Sequence, residues 1–180
     1  PVYEAMMYAQ NNGVLFVHAA GNSAEDLGVS SNYPAVMYEF QSEPFTHLLT
    51  IGASTRFHDG SLAAPFSNYG DEEVDIFAPG AEIYNSVPQS EYKILQGTSM
   101  ASPMVAGVAA MLKGYFPSLT MLEIKNIIIE SGDDFSETEQ TKPGGADKVM
   151  FNTLSTTGKV VNVKSAVKLA KKQAKEKTED

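Results

Sequence analysis

No cysteine occurs in the 180 residues, which removes disulfides, thiol nucleophiles and thiolate metal sites together. Arginine occurs once, at Arg56, and 13 basic side chains face 22 acidic ones for a net charge of −9. A chain so poor in cations lacks the clustered Lys and Arg that grip phosphate backbones, so no nucleic acid partner is expected. No apolar run approaches the roughly 20 residues of a membrane span, so no membrane partner is expected either, and the segment opening at Pro1 shows no leader pattern. Imidazole is scarce as well, with only His18, His47 and His58.

What is present suffices for one domain with a core, since 43% of the residues are hydrophobic. Charge is uneven. Residues 164–180 hold six Lys and three acids, whereas the rest holds seven bases and 19 acids, giving an acidic body suited to neutral or basic peptides and a basic tail. Ala5, Met6 and Ala9 at helical spacing, closed by Gly13, predict a short helix over 3–12. The continuous apolar runs Val14-Leu15-Phe16-Val17 and Leu48 to Ala53 read as parallel strands buried on both faces, and Ile83 to Val87 as a further short strand. Met100 to Phe116 is small and apolar all round, the pattern of a central helix. Thr120 and Glu123 form a capping box that opens another helix, ended by Gly132. Residues 133–148 read as an exposed insertion, and Val163, Ala166, Val167 and Ala170 give a last helix one apolar stripe. The expected division is a body over 1–170 and a charged, frayed tail over 171–180.

Two blocks carry chemistry. In Gly97-Thr98-Ser99-Met100-Ala101-Ser102-Pro103 a serine lies between a glycine turn and a helix-forming run, so its hydroxyl sits at a helix N-terminus where free N–H groups favour developing negative charge. By residue type alone Ser99 is either an N-cap or a nucleophile. In Phe16-Val17-His18-Ala19-Ala20-Gly21-Asn22, the pair Gly21-Asn22 is by itself either a turn or part of a site.

Together and in this order the two blocks resemble the subtilases, the subtilisin-like serine proteases, and Phe66-Ser67-Asn68-Tyr69-Gly70 and Val74 to Gly80 resemble two further segments of that family. The resemblance implies an α/β fold, doubly wound, with a mainly parallel sheet and helices on both faces. It implies peptide hydrolysis through an acyl-enzyme on Ser99, with the Asn22 side-chain amide and the Ser99 N–H stabilising the oxyanion and Thr98 and Gly97 supporting that site. Ala19, Ala20 and Gly21 would line the pocket for the residue before the cut, Asn32 would fall near its base, and Tyr33-Pro34 would be a cis peptide. Met104 departs from the histidine common after this Ser-Pro. Triad motifs like Asp-Thr-Gly and His-Gly-Thr-His, which the family carries upstream of the asparagine block, do not occur here.

The chain is therefore read as the C-terminal half of a catalytic domain, its sheet incomplete on the N-terminal side. It is expected to be inactive alone, with a peptide or protein substrate and the N-terminal half as partners. Rival readings are a non-catalytic peptide-binding module and one chain of a split protease. Family resemblance also implies secretion, to the outside or the periplasm, and allows structural calcium, although no ligand residue can be named and no cofactor is identifiable. His18 reads as a core or pocket-edge residue, His58-Asp59-Gly60 as a hairpin turn, and Asp71, Glu72, Glu73 and Asp75 as a solvated acidic turn.

Overall fold

The computed structural model describes residues 1–38, 40–41 and 43–179, the side chains of residues 178 and 179 excepted. Helix α1 (Val2–Asn11) ends on Asn12 and on Gly13, whose φ of 71° gives the reversal. The turn runs on through Val14, whose N–H bonds back to Ala9, so strand β1 is Phe16–Ala19 and begins two residues later than the apolar run suggests. Strand β2 (Leu48–Ser54) is buried at all seven positions, as a central strand of a doubly covered sheet must be. Strand β3 (Ile76–Pro79) follows, then a hairpin of β4 (Ile83–Val87) and β5 (Glu91–Leu95).

Helix α2 (Thr98–Tyr115) starts two residues before the expected Met100 and so includes Ser99 in its first turn. Helix α3 (Met121–Glu130) opens with both halves of the Thr120/Glu123 capping box. Short strands β6 (Asp133–Asp134), β7 (Glu139–Thr141), β8 (Lys148–Met150) and β9 (Lys159–Val160) lead to helix α4 (Val163–Glu179).

The main sheet has the order β1-β2-β3-β9-β6, with β1, β2, β3 and β9 parallel and β6 antiparallel at the far edge. Leu49, Ile51, Ala53, Ile76 and Ala78 face α2, α3 and α4, while Leu48 packs with Met6 of α1 on the other side. Helices thus cover both faces, and the α/β architecture is the one the resemblance implies. Gly52 explains how the second face closes: a Cβ there would lie 2.6 Å from the Phe77 ring, which packs in turn against Phe151 at a tilt of 53°. Strand β1 pairs only with β2 among the described residues, and its four residues are all half-buried.

Two sequence expectations change, at 133–148 and in the acidic turn. The 133–148 stretch is not a plain exposed insertion: it contains β6 and the β7–β8 hairpin, with Gln140 fully buried and its Oε1 accepting from Ala63 N–H at 2.8 Å. Helix α4 runs through Glu179, and Lys177 bonds Glu123 at 2.7 Å, while residue 180 lies outside the described residues. The acidic turn is solvated only at Asp71 and Glu72. Asp75 lies inside, its Oδ2 accepting from Thr50 N–H at 2.7 Å and its Oδ1 3.6 Å from Lys125 Nζ, which also donates to the Leu48 carbonyl; burial raises the Asp75 pKa even so. This ion pair joins α3 to β2 and β3.

Candidate functional site

The site forms where β1 and β3 end and α2 begins, at the carboxyl edge of the parallel strands, where open α/β sheets place their crevices. Gly97 sets the start of α2. Its N–H donates to the Gly80 carbonyl at 2.8 Å, and its φ of 148° is one that residues with a Cβ rarely adopt. Gly80 permits the approach, since a Cβ there would lie 2.8 Å from the Gly97 oxygen.

Asn22 and Thr98 are locked together across 76 residues of sequence. Asn22 Oδ1 accepts from Thr98 N–H at 2.8 Å and from the Thr98 hydroxyl at 3.0 Å, and that hydroxyl accepts from Gly21 N–H at 3.1 Å. Two donors on Oδ1 fix the amide orientation and leave Nδ2 facing the other way. Asn22 thereby caps α2, whose own N-cap residue, Gly97, has no side chain to do so. Met100 N–H bonds to the Gly97 carbonyl, whereas Ser99 N–H meets no protein acceptor among the described residues. The Asn22 amide and the Ser99 N–H flank the space above Gly97: a Cβ built there would lie 3.4 Å from Asn22 Nδ2, 3.5 Å from its Oδ1 and 3.6 Å from Ser99 N. An anion in that space would meet two N–H groups at a helix N-terminus. Thr98 is fully buried, whereas Ser99 and Asn22 are exposed.

Asn68 organises the loop after β1, a role the sequence reading does not assign. Its Nδ2 donates to the Ala20 carbonyl at 3.0 Å, its Oδ1 accepts from Ser23 and Glu25 N–H, and its backbone N–H bonds to Gly21 O. A Cβ on Gly21 would lie 2.5 Å from Asn68 Nδ2. The available signal was the position of Asn68 within the Phe66 to Gly70 block.

Ala19 and Ala20 meet the other expected pocket residue through Asn32, whose Nδ2 donates to both carbonyls, at 3.3 and 2.9 Å. Asn32 and His18 line a groove of about 810 Å³ walled by Tyr33, Val36 and Tyr38, with Glu72 and Glu73 also on its lining. The Tyr33–Pro34 peptide is cis. No histidine reaches Ser99: His18 Nε2 pairs with Asn32, His47 Nδ1 with the Thr46 hydroxyl at 3.0 Å, and the His58 ring packs on Phe135. Among the described residues no three His, Asp or Glu gather as a metal site, and no helix is long and apolar enough to cross a membrane.

Burial holds the His18 and His47 pKa values below the usual 6.5, with the Lys125 charge adding to the effect at His47. Unfolding frees both imidazoles to bind protons near 6.5, so their contribution to stability is complete above that value and is lost as pH falls through it towards the folded pKa values. The urea midpoint is therefore expected to be lower at pH 6.0 than at pH 7.5, with a smaller difference in His18→Phe. An unchanged midpoint would contradict this.

The subtilase family model matches residues 1–158. Subtilisin-like protease 2 of Plasmodium falciparum is 39% identical over 110 residues, covering 61% of this chain and 8% of that protein. Subtilisin BL of Lederbergia lenta is 36% identical over 136 residues, covering 75% of this chain and 45% of the relative. Among solved structures, the A-subunit of the AB5 toxin from E. coli superposes with a TM-score of 0.71 at 25% identity, covering 92% of this chain and 53% of that one. The self-cleaved protease domain of PatA gives 0.65 at 26% identity, covering 94% and 54%. The chain thus spans less than half the length of these two relatives and about half of the solved chains it matches.

Proposed function

The chain belongs to the subtilase family, and from that membership we propose that it supplies the nucleophile and the oxyanion site of a serine endopeptidase. Ser99 Oγ gives its proton to the general base and attacks the scissile carbonyl. The adduct collapses with cleavage of the C–N bond, the protonated amine leaves, and water hydrolyses the acyl-enzyme that remains. Asn22 Nδ2 and Ser99 N–H receive the tetrahedral oxyanion, with Thr98 holding Asn22 in place and Gly97 leaving the space open. Ala19, Ala20, Gly21 and Asn32 shape the pocket for the residue before the cut. The general base and its orienting aspartate come from an upstream segment that adds to the sheet beside β1, an edge that would otherwise stay unpaired. The protein acts outside the cytoplasm, secreted or periplasmic, and the chemistry calls on side chains and backbone alone.

The observation that supports this reading is the Asn22–Thr98 lock, which occupies Asn22 Oδ1 with two donors and leaves the amide N–H groups, without a partner among the described residues, near Ser99 N–H. The test is labelling with a serine-directed fluorophosphonate, because an unactivated hydroxyl is a weak nucleophile. The isolated chain is expected to label poorly, and the chain combined with a family segment carrying the aspartate and histidine to label on Ser99. Labelling elsewhere, or none in the combined domain, would overturn the proposal.

A further inference from the structure

We propose that Asn32 and His18 form a neutral donor–acceptor pair in the wall of the groove that selects a carboxamide side chain, glutamine foremost, in the bound peptide. The protease reading enters only in making the ligand a peptide. Asn32 Nδ2 lies 2.9 Å from the Ala20 carbonyl, 3.3 Å from the Ala19 carbonyl and 3.1 Å from His18 Nε2. Carbonyl oxygens only accept, so the atom between them is the NH2 group and the amide cannot be the other way round. A nitrogen that only donates obliges His18 Nε2 to accept, which places the ring proton on Nδ1. Burial favours the same neutral form.

What remains for a ligand is Asn32 Oδ1, an acceptor, and His18 Nδ1–H, a donor, neither with a protein partner among the described residues. Both belong to residues lining the 810 Å³ groove, beside the apolar Val36 and the Tyr33 and Tyr38 rings. A glutamine amide offers an NH2 to the acceptor and a carbonyl to the donor from one planar group. Leucine leaves both protein groups desolvated and unpaired, the arrangement that lets a hydrogen-bonding site reject an apolar analogue. A carboxylate turns like-signed oxygens on Asn32 Oδ1, and a lysine ammonium faces the His18 N–H. The competing influence on lysine is the pair Glu72 and Glu73 elsewhere on the lining, with Glu73 Oε2 buried and unpaired.

The test titrates the full chain, labelled with 15N-histidine, with acetylated tetrapeptide amides that differ only in a last side chain of Gln, Leu, Lys or Glu. The free chain is expected to show His18 as the Nδ1–H tautomer. The Gln peptide is expected to shift that resonance and to bind about tenfold more tightly than the Leu peptide, the effect of roughly two hydrogen bonds. An Nε2–H tautomer, no shift with the Gln peptide, or Leu or Lys binding as tightly as Gln would each overturn the proposal. His18→Phe removes the Nδ1–H donor together with the Nε2 acceptor of Asn32 and, with affinities measured by calorimetry, is expected to lower the Gln preference. Asn32→Leu should abolish the preference. Because peptide binding needs no acylation of Ser99, its outcome is independent of whether fluorophosphonate labels that residue.

Discussion

Replacing Ser99 by alanine in the chain combined with an upstream segment that carries the aspartate and histidine is expected to lower peptide turnover about a millionfold, a magnitude that carries over from subtilisin, a relative. In the isolated chain the same replacement should change nothing. The hydroxyl is exposed at the first turn of α2, but the three imidazoles that could take its proton are held by Asn32, by Thr46 and against Phe135. Without a base the serine keeps its proton at neutral pH and attacks poorly. Initial rates on an ester substrate, for both proteins with and without the added segment, make the comparison. Robust hydrolysis by the isolated chain that Ser99→Ala removes would show that a base lies within these residues.

Asn22→Asp separates two tasks that one side chain performs. Aspartate keeps an oxygen for Thr98 N–H and the Thr98 hydroxyl, so the start of α2 stays capped. It has no N–H to offer the space above Gly97 and places a carboxylate there. Turnover in the combined domain is expected to fall at least 100- to 1000-fold, the loss known for the oxyanion asparagine of subtilisin, while KM and the melting temperature change little. Asn22→Ala should lose a similar amount of turnover and, in addition, roughly 1 kcal/mol of stability with the cap. If Asn22→Asp retained full turnover, Asn22 would be a capping residue only.

The fold was legible where short-range chemistry decides it. The buried run of β2, the capping box of α3 and the glycine stop of α1 are each written in a few adjacent residues. Boundaries moved where a further contact intervened, as when the Val14 N–H turned back to Ala9 and delayed β1. The Ser99 block and the Asn22 block stood out as motifs, but their lock did not, because composition and spacing do not state which way an amide is turned. Asn68 was hidden for the same reason: a buried asparagine bonded to four backbone groups looks, in one dimension, like any turn residue. Asp75 misled because its partner, Lys125, lies 50 positions away.

The Asn22–Thr98 lock also bears on how freely this chain can vary in length. Its two ends are fastened by packed elements, so the 75 residues between them form one closed loop whose entropy grows only with the logarithm of its size. Even doubling such a loop adds about 0.6 kcal/mol. Insertions into the exposed turns of that interval, such as the one at Asp71 and Glu72 or the tip of the β4–β5 hairpin, therefore leave the geometry around Gly97 nearly untouched, and the loops beside it can diverge without disturbing it.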